Sequence, residues 1–177
     1  MTIENVLICD VETTGLDEKK CQIIELGAIL YNIKTKSILQ CFSTLFPCES
    51  NPVEHINHIS VESTKCNMYT TNAFLGIFAA FQEKSQAFIA HNAQFDEKFI
   101  HTIFGDIKNP FICTKSQFKW PSHPSRLRLQ DVCHSMGVPY GEESHRALYD
   151  AERIALCFSK VDDLQERIDA AYERAIK

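Results

Sequence analysis

The chain has 177 residues, 45% of them hydrophobic and 23% charged, with a formal net charge of −5. That length suits one domain with one sizeable core, and the composition is ordinary for a soluble globular protein. The negative charge argues against a protein that coats nucleic acid non-specifically, which would be basic, but not against an enzyme that holds its substrate through metal ions. No apolar run approaches a membrane span, and Met1 to Asn5 has no basic leader, so no membrane partner and a cytoplasmic location are expected. The eight cysteines include no C-x-x-C pair. They fall in apolar segments, as at Cys9, Cys41, Cys113 and Cys157, and read as reduced core residues. A zinc site built from Cys48, His55, His58 and Cys66 fits no common ligand spacing.

Val6-Leu7-Ile8-Cys9 reads as a buried strand, followed by a turn at Gly15 and a charged loop from Asp17 to Lys20. Ile23 to Tyr31 and Ile38 to Phe46 are strands joined by a polar turn at Lys34-Thr35-Lys36, which makes an antiparallel meander. Val53 to Ser60 suits a short helix. Thr71 to Lys84 carries Phe74, Leu75, Phe78 and Phe81 at helical spacing, and such Phe faces read as core, not as base-stacking platforms. Ala87 to Ala90 is a short buried strand, Ala93 to Phe104 a helix, and Phe111 to Cys113 another strand. Pro121 to Ser125 is a surface loop, and Leu127 to Met136 a helix closed by Gly137. Past a loop at Gly141 to Ser144, a helix runs to about Lys160, and Leu164, Ile168, Ala171, Tyr172 and Ala175 form the stripe of a last one. Strands alternating with helices point to one domain over residues 1–177, a mixed sheet with helices on its faces.

Four acids break this pattern. Asp10 and Glu12 follow the first apolar run and, two apart on a strand, point to one side. Carboxylates that close repel and raise each other's pKa unless a cation lies between them. Asp96 shares a helix face with Phe99, Ile100 and Ile103, and Asp150 shares one with Ala147, Ala151, Ile154 and Phe158. A carboxylate on a core face is costly without a partner or a metal. One such acid reads as a cap or a satisfied buried residue; the same anomaly in three segments reads as a divalent-metal site with oxygen ligands.

The segments around these acids, Asp10-Val11-Glu12-Thr13-Thr14-Gly15-Leu16, His91-Asn92-Ala93-Gln94-Phe95-Asp96 and His145-Arg146-Ala147-Leu148-Tyr149-Asp150-Ala151, resemble the three motifs of the DEDDh 3′–5′ exonucleases. That group includes the proofreading subunit of bacterial DNA polymerase III and exonuclease X. Ile56-Asn57-His58-Ile59-Ser60 is similar to the family's loop before its first long helix. The resemblance spans Asp10 to Ala151 and implies an RNase H-like α/β fold: a five-stranded mixed sheet, first strand central, with helices on both faces.

Phosphodiester cleavage needs an activated water, a neutralised phosphate and a stabilised leaving oxygen, and two divalent ions supply the electrostatic parts. The resemblance implies that Asp10 bridges two Mg²⁺ ions, with Mn²⁺ as a substitute, that Glu12 and Asp150 complete the nucleophile-side site, and that Asp96 assists on the other side through water. Mg²⁺ suits few carboxylates plus water and phosphate oxygens. His145 would be the general base, because imidazole is the side chain suited to proton transfer near working pH. It precedes Asp150 by five residues, about 500° of helix, so it must reach the site from the loop–helix junction. The sister subgroup places Tyr four before the last Asp, where this chain has Arg146; Tyr149 is misplaced for that role.

His91 repeats the five-residue spacing to Asp96, but a strand end suits a structural hydrogen bond better than catalysis. His101, His123 and His134 read as surface or satisfied residues. By resemblance Thr13, Thr14, Gly15 and Leu16 meet the terminal nucleotide, Leu16 wedging against its base. His58, Asn92 and Phe95 are further candidate substrate contacts, Phe95 being equally suited to the core. Arg126 and Arg128 flank a substrate-side loop and suit either phosphate contact or a solvated face. A Ser/His/Asp hydrolase lacks its G-x-S-x-G elbow here.

The expected function is removal of nucleoside 5′-monophosphates from a free 3′ end, single-stranded or frayed, with a polymerase or a second copy of the chain as further partners. The Trp120-Pro121 loop and single compact domain look more like exonuclease X than RNA-trimming members, which favours DNA. The alternatives are an RNA-trimming exoribonuclease and a silent nuclease-fold subunit that binds nucleic acid or a polymerase. The complete acid set disfavours the silent subunit.

Overall fold

The computed structural model describes residues 2–65, 71–121, 128–141 and 145–177, with residues 71 and 72 described by backbone alone. β1 (Asn5–Thr13) lies at the centre of a sheet ordered β3-β2-β1-β4-β5. β2 (Ile23–Asn32) and β3 (Ser37–Leu45) extend it antiparallel on one side; β4 (Ala87–Ala90) and β5 (Phe111–Cys113) extend it in parallel on the other. The mixed RNase H-like sheet expected from the motifs is therefore present. α1 (Glu54–Asn57) and α2 (Val61–Thr64) replace the one short helix expected from Val53 to Ser60. α3 (Thr71–Lys84), α4 (Ala93–Phe104), α6 (Ala147–Ser159) and α7 (Leu164–Ala175) match their expected spans closely. α5 (Leu129–Ser135) begins two residues later than expected, and Leu127 lies outside the described residues.

β1 reads as an unbroken apolar run because both its faces are covered. Val6 and Ile8 pack with Ile29 and Tyr31 of β2 under α5, α6 and α7. Leu7, Cys9 and Val11 face the opposite layer, where α3 and α4 contribute Phe74, Phe78, Phe81 and Phe99. The aromatic residues are thus spent on the core, as their spacing predicted: Phe78 and Phe104 stack at 3.8 Å, and Phe88 stacks on Phe111 at 4.6 Å. His101 departs from expectation. It is half-buried near the Phe111 ring, and its Nε2 has no hydrogen-bond partner among the described residues.

β2 shares the α6-facing layer through Glu25, Gly27, Ile29 and Tyr31. In register with β1, Gly27 lies opposite Asp10 and Glu25 opposite Glu12. A Cβ on Gly27 would meet the Leu148 nitrogen at 2.3 Å and the Ala147 carbonyl carbon at 2.5 Å. A glycine here lets the first turn of α6 rest directly on the sheet.

Candidate active site

Asp10 and Glu12, each partly buried, stand on the face of β1 that carries Val6 and Ile8. β4 pairs with β1 only from Val6 to Ile8, so that edge of β1 has no strand neighbour further on. The carboxylate of Asp96 fills the place: its Oδ1 accepts from the Val11 N–H at 3.2 Å. Asp96 is the fourth residue of α4 and Asp150 the fourth of α6, both in the first turn, where the helix dipole favours negative charge. They are 2% and 7% exposed, as their places on apolar stripes required.

His145 lies just before Arg146, the N-cap of α6, with a left-handed backbone (φ 63°) that few non-glycine residues adopt. Its ring is exposed, and ligand atoms of His145, Glu12 and Asp150 all lie within 4.8 Å of one another. The junction position reconciles the five-residue spacing with a shared site. His91 has a different fate. It directly follows β4, buried, with Nδ1 2.9 Å from Thr114 Oγ1, the structural hydrogen bond expected of it.

The acids raise one another. Burial first, then the charges of Asp96, Asp150 and Glu12, hold Asp10 well above the usual carboxylate range. Glu12 is pushed up to about 9 by burial and by Asp150, Glu25 and Asp96, with Arg146 opposing. Asp96 is pushed up to about 7, mainly by burial, although the Val11 N–H favours its ionised form. Burial also raises Asp150 against the Tyr140 hydroxyl and His145, and Asp150 Oδ1 is buried without a hydrogen-bond partner among the described residues. Clustered oxygen donors, mutual repulsion and a carboxylate oxygen without a partner among the described residues together fit a divalent cation. Among the described residues the tight ligand group is Glu12, His145 and Asp150; Asp10 and Asp96 lie outside it.

A cleft of about 830 Å³ gathers Asp10, Glu12, Leu16, Asn92, Phe95, Asp96, His145 and Asp150. Leu16 is 85% exposed at its rim. Phe95 serves both readings, since it lines the cleft while its ring lies 4.9 Å from Phe99. The other turn residues are occupied locally: Thr13 Oγ1 donates to the Gly15 carbonyl at 2.6 Å, and Thr14 Oγ1 accepts from Gln22 N–H at 3.1 Å. His58 is the exposed, left-handed C-cap of α1. Its neighbour Asn57 donates to the Thr13 carbonyl at 3.3 Å and ties that loop to the end of β1. Arg128 lines the cleft and forks onto Asp131 at 3.0 Å; Arg126, His123 and Cys66 lie outside the described residues. Trp120 is core, its indole N–H donating to the Thr114 carbonyl at 3.0 Å.

Three residues beside the acids were not singled out from sequence. Tyr140 lines the cleft, and its hydroxyl favours the ionised form of the Asp150 carboxyl. Gly27 admits α6. Glu25, 2% exposed, accepts from Arg146 Nε at 3.0 Å and Nη2 at 2.8 Å, from Ala147 N–H at 3.0 Å and from Ser43 Oγ at 3.2 Å. A lone acid inside the apolar strand Ile23 to Tyr31 was the available signal.

Residues 7–158 match the family described as Exonuclease. The chain belongs to this family. It is 30% identical over 178 residues to a PolC-type DNA polymerase III of Pediococcus pentosaceus, covering 94% of this chain but only 12% of that one. A ribonuclease T of Haemophilus influenzae is 29% identical over 182 residues, covering 86% of this chain and 76% of the relative. The nuclease domain of 3′hExo, a DEDDh family member bound to rAMP, superposes with a TM-score of 0.73 at 17% identity, covering 93% of this chain and 95% of that one. Exonuclease X in complex with 5′-overhanging duplex DNA gives 0.65 at 20% identity, covering 94% and 99%. No helix among the described residues is long and apolar enough to cross a membrane.

Proposed function

We propose that this chain is a two-metal 3′–5′ exonuclease of the DEDDh type that shortens nucleic acid from a free 3′ end, DNA in preference to RNA, releasing nucleoside 5′-monophosphates. The observation that carries this reading is the convergence of Asp10, Glu12, Asp96 and Asp150 from three elements on one cleft, with His145 against Glu12 and Asp150. Asp10, Glu12 and Asp150 would hold Mg²⁺, with Asp96 in support. Bound divalent ions neutralise the scissile phosphate and the leaving 3′-oxygen.

The chain's own groups do the rest. His145, exposed and beside the carboxylates, accepts a proton from the attacking water. Leu16 at the rim packs against the terminal base, and Asn92 and Phe95 bound the same space. The Val11 N–H keeps the Asp96 carboxylate in place beside β1. Similarity to PolC-type DNA polymerase III supports DNA as substrate and a polymerase as partner; ribonuclease T among the relatives supports the RNA-trimming alternative.

Direction and substrate are tested together with end-labelled single strands of DNA and RNA in Mg²⁺. A 5′-labelled DNA strand should give a progressively shortening ladder, and a 3′-labelled one should release labelled mononucleotide at once. A 3′-phosphate should block attack, and circular DNA should resist. Efficient cutting of circles would mean an endonuclease, and faster loss of RNA than DNA would reverse the substrate preference.

A further inference from the structure

We infer that Glu25 and Arg146 are positioning residues for the reaction proposed above: their ion pair fastens the start of α6 to β2 and so sets the places of His145 and Asp150 relative to Glu12. The inference rests on that functional reading but is argued from the fold. Glu25 sits on β2 directly opposite Glu12 on β1. A buried carboxylate beside another acid is unfavourable unless fully partnered. Glu25 has such partners: one oxygen takes Arg146 Nε and Ala147 N–H, both at 3.0 Å, and the other takes Arg146 Nη2 at 2.8 Å and Ser43 Oγ at 3.2 Å.

Two of these contacts concern the helix start itself. The first N–H groups of a helix have no partner within it, and N-cap side chains commonly serve them. Arg146, the N-cap residue of α6, makes no side-chain cap hydrogen bond. Glu25 supplies the missing acceptor from a different element, on Ala147 N–H. The guanidinium fork then fixes Arg146 in a planar two-point grip that a single point charge does not reproduce. Gly27, two residues along the same face of β2, lets the helix backbone settle close enough for the grip.

What the pair holds is chemically specific. His145 is bonded directly to Arg146, and its left-handed backbone turns at the point where the fork takes hold. Asp150 lies one turn further into the helix. Loosening Arg146 therefore moves the proposed base and one acid together, against Asp10 and Glu12 fixed on β1. A helix fastened only by its apolar stripe would tolerate small slides that a metal–carboxylate site does not.

The test compares wild type, Arg146→Ala and the double variant Glu25→Gln/Arg146→Met, reading urea stability, Mn²⁺ affinity by electron paramagnetic resonance, kcat and KM. Arg146→Ala leaves Glu25 buried without its counter-charge and should lose stability, with Mn²⁺ affinity and kcat each down about 10–100-fold, the usual effect of losing groups that orient ligands. The double variant removes both charges, keeps an acceptor for Ala147 N–H and fills the arginine stem's space. It should regain most of the stability, while kcat and Mn²⁺ affinity stay at least about tenfold down and KM changes little. A double variant with wild-type kcat and Mn²⁺ affinity would reduce the pair to a structural brace and overturn the inference. Inactivity of the wild type would instead defeat the functional reading, with Mn²⁺ affinity still reporting on the pair.

Discussion

Gly27 and Leu148 meet backbone to backbone: a Cβ on Gly27 would sit 2.3 Å from the Leu148 nitrogen. Hydrogen is the only side chain that fits between β2 and the first turn of α6. Gly27→Ala must therefore lift the helix or bend the strand, and overpacking of this kind costs about 1–3 kcal/mol. The expected loss is at the upper end, because the obstacle is main chain on both sides. Urea unfolding should show it, together with a fall in kcat as Asp150 is displaced. Unchanged stability would mean that the two elements can part without cost.

Acidity and stability are linked through the same cleft. In the unfolded chain Glu12 ionises near about 4.3, whereas in the folded, metal-free protein it does so at about 9. Between those values the folded state binds more protons, so stability is fully present below the lower value and is lost as pH rises through the upper one. Asp96 adds a narrower window, from about 3.9 unfolded to about 7 folded. The melting temperature in EDTA should fall as pH rises from 5 to 9, and Mg²⁺ or Mn²⁺ should flatten the slope. Asp96→Asn keeps an acceptor for Val11 N–H and removes one repelling charge, so it should melt higher than wild type at pH 7 without metal. A melting temperature independent of pH would contradict the mutual repulsion of the acids.

Asp10→Ala should abolish cleavage, since the residue is proposed to hold both ions. Binding of a single strand in Ca²⁺ should survive in part, because Leu16, Asn92 and Phe95 remain in the cleft. Near-wild-type turnover would sink the two-metal assignment; complete loss of binding would show that the acids, not the rim, carry substrate affinity.

His145→Ala should cut kcat by about 10²–10⁴-fold, the usual worth of a general base. Its ring is exposed, so thermal unfolding should barely change. His91→Ala should do the reverse, destabilising the buried contact with Thr114 more than it slows the reaction. If the kinetic signature followed His91 instead, the base would have been placed before the wrong helix.

These two histidines show how far a sequence can be read. His91–Asp96 and His145–Asp150 have the same spacing, and each histidine lies two residues before a helix whose fourth residue is the acid. What separates them is the neighbour: His91 follows β4 and bonds Thr114, just past β5, whereas His145 is exposed against the carboxylates of Glu12 and Asp150. The five strands and the four clustered acids were legible because periodicity and burial leave a local signature, apolar runs broken by charge. Glu25, Gly27 and Tyr140 were less so, since their significance depends on which residues face them across the sheet or from a loop, a relation of pairing register. The start of α5 was placed early because Leu127 continues the apolar spacing, while the helical hydrogen bonds begin after Arg128, whose side chain turns back to Asp131.

Leu16, 85% exposed, is about as wet in the folded chain as in an unfolded one. Its apolar surface therefore adds almost nothing to the difference between the two states, and covering a leucine fully, worth about 1.5–3 kcal/mol, is gained only when another molecule arrives. If Leu16 meets the terminal base as proposed, folding and recognition are uncoupled at this position. Selection can reset the grip of the cleft there, strengthening or relaxing it, while the architecture beneath stays indifferent to the choice.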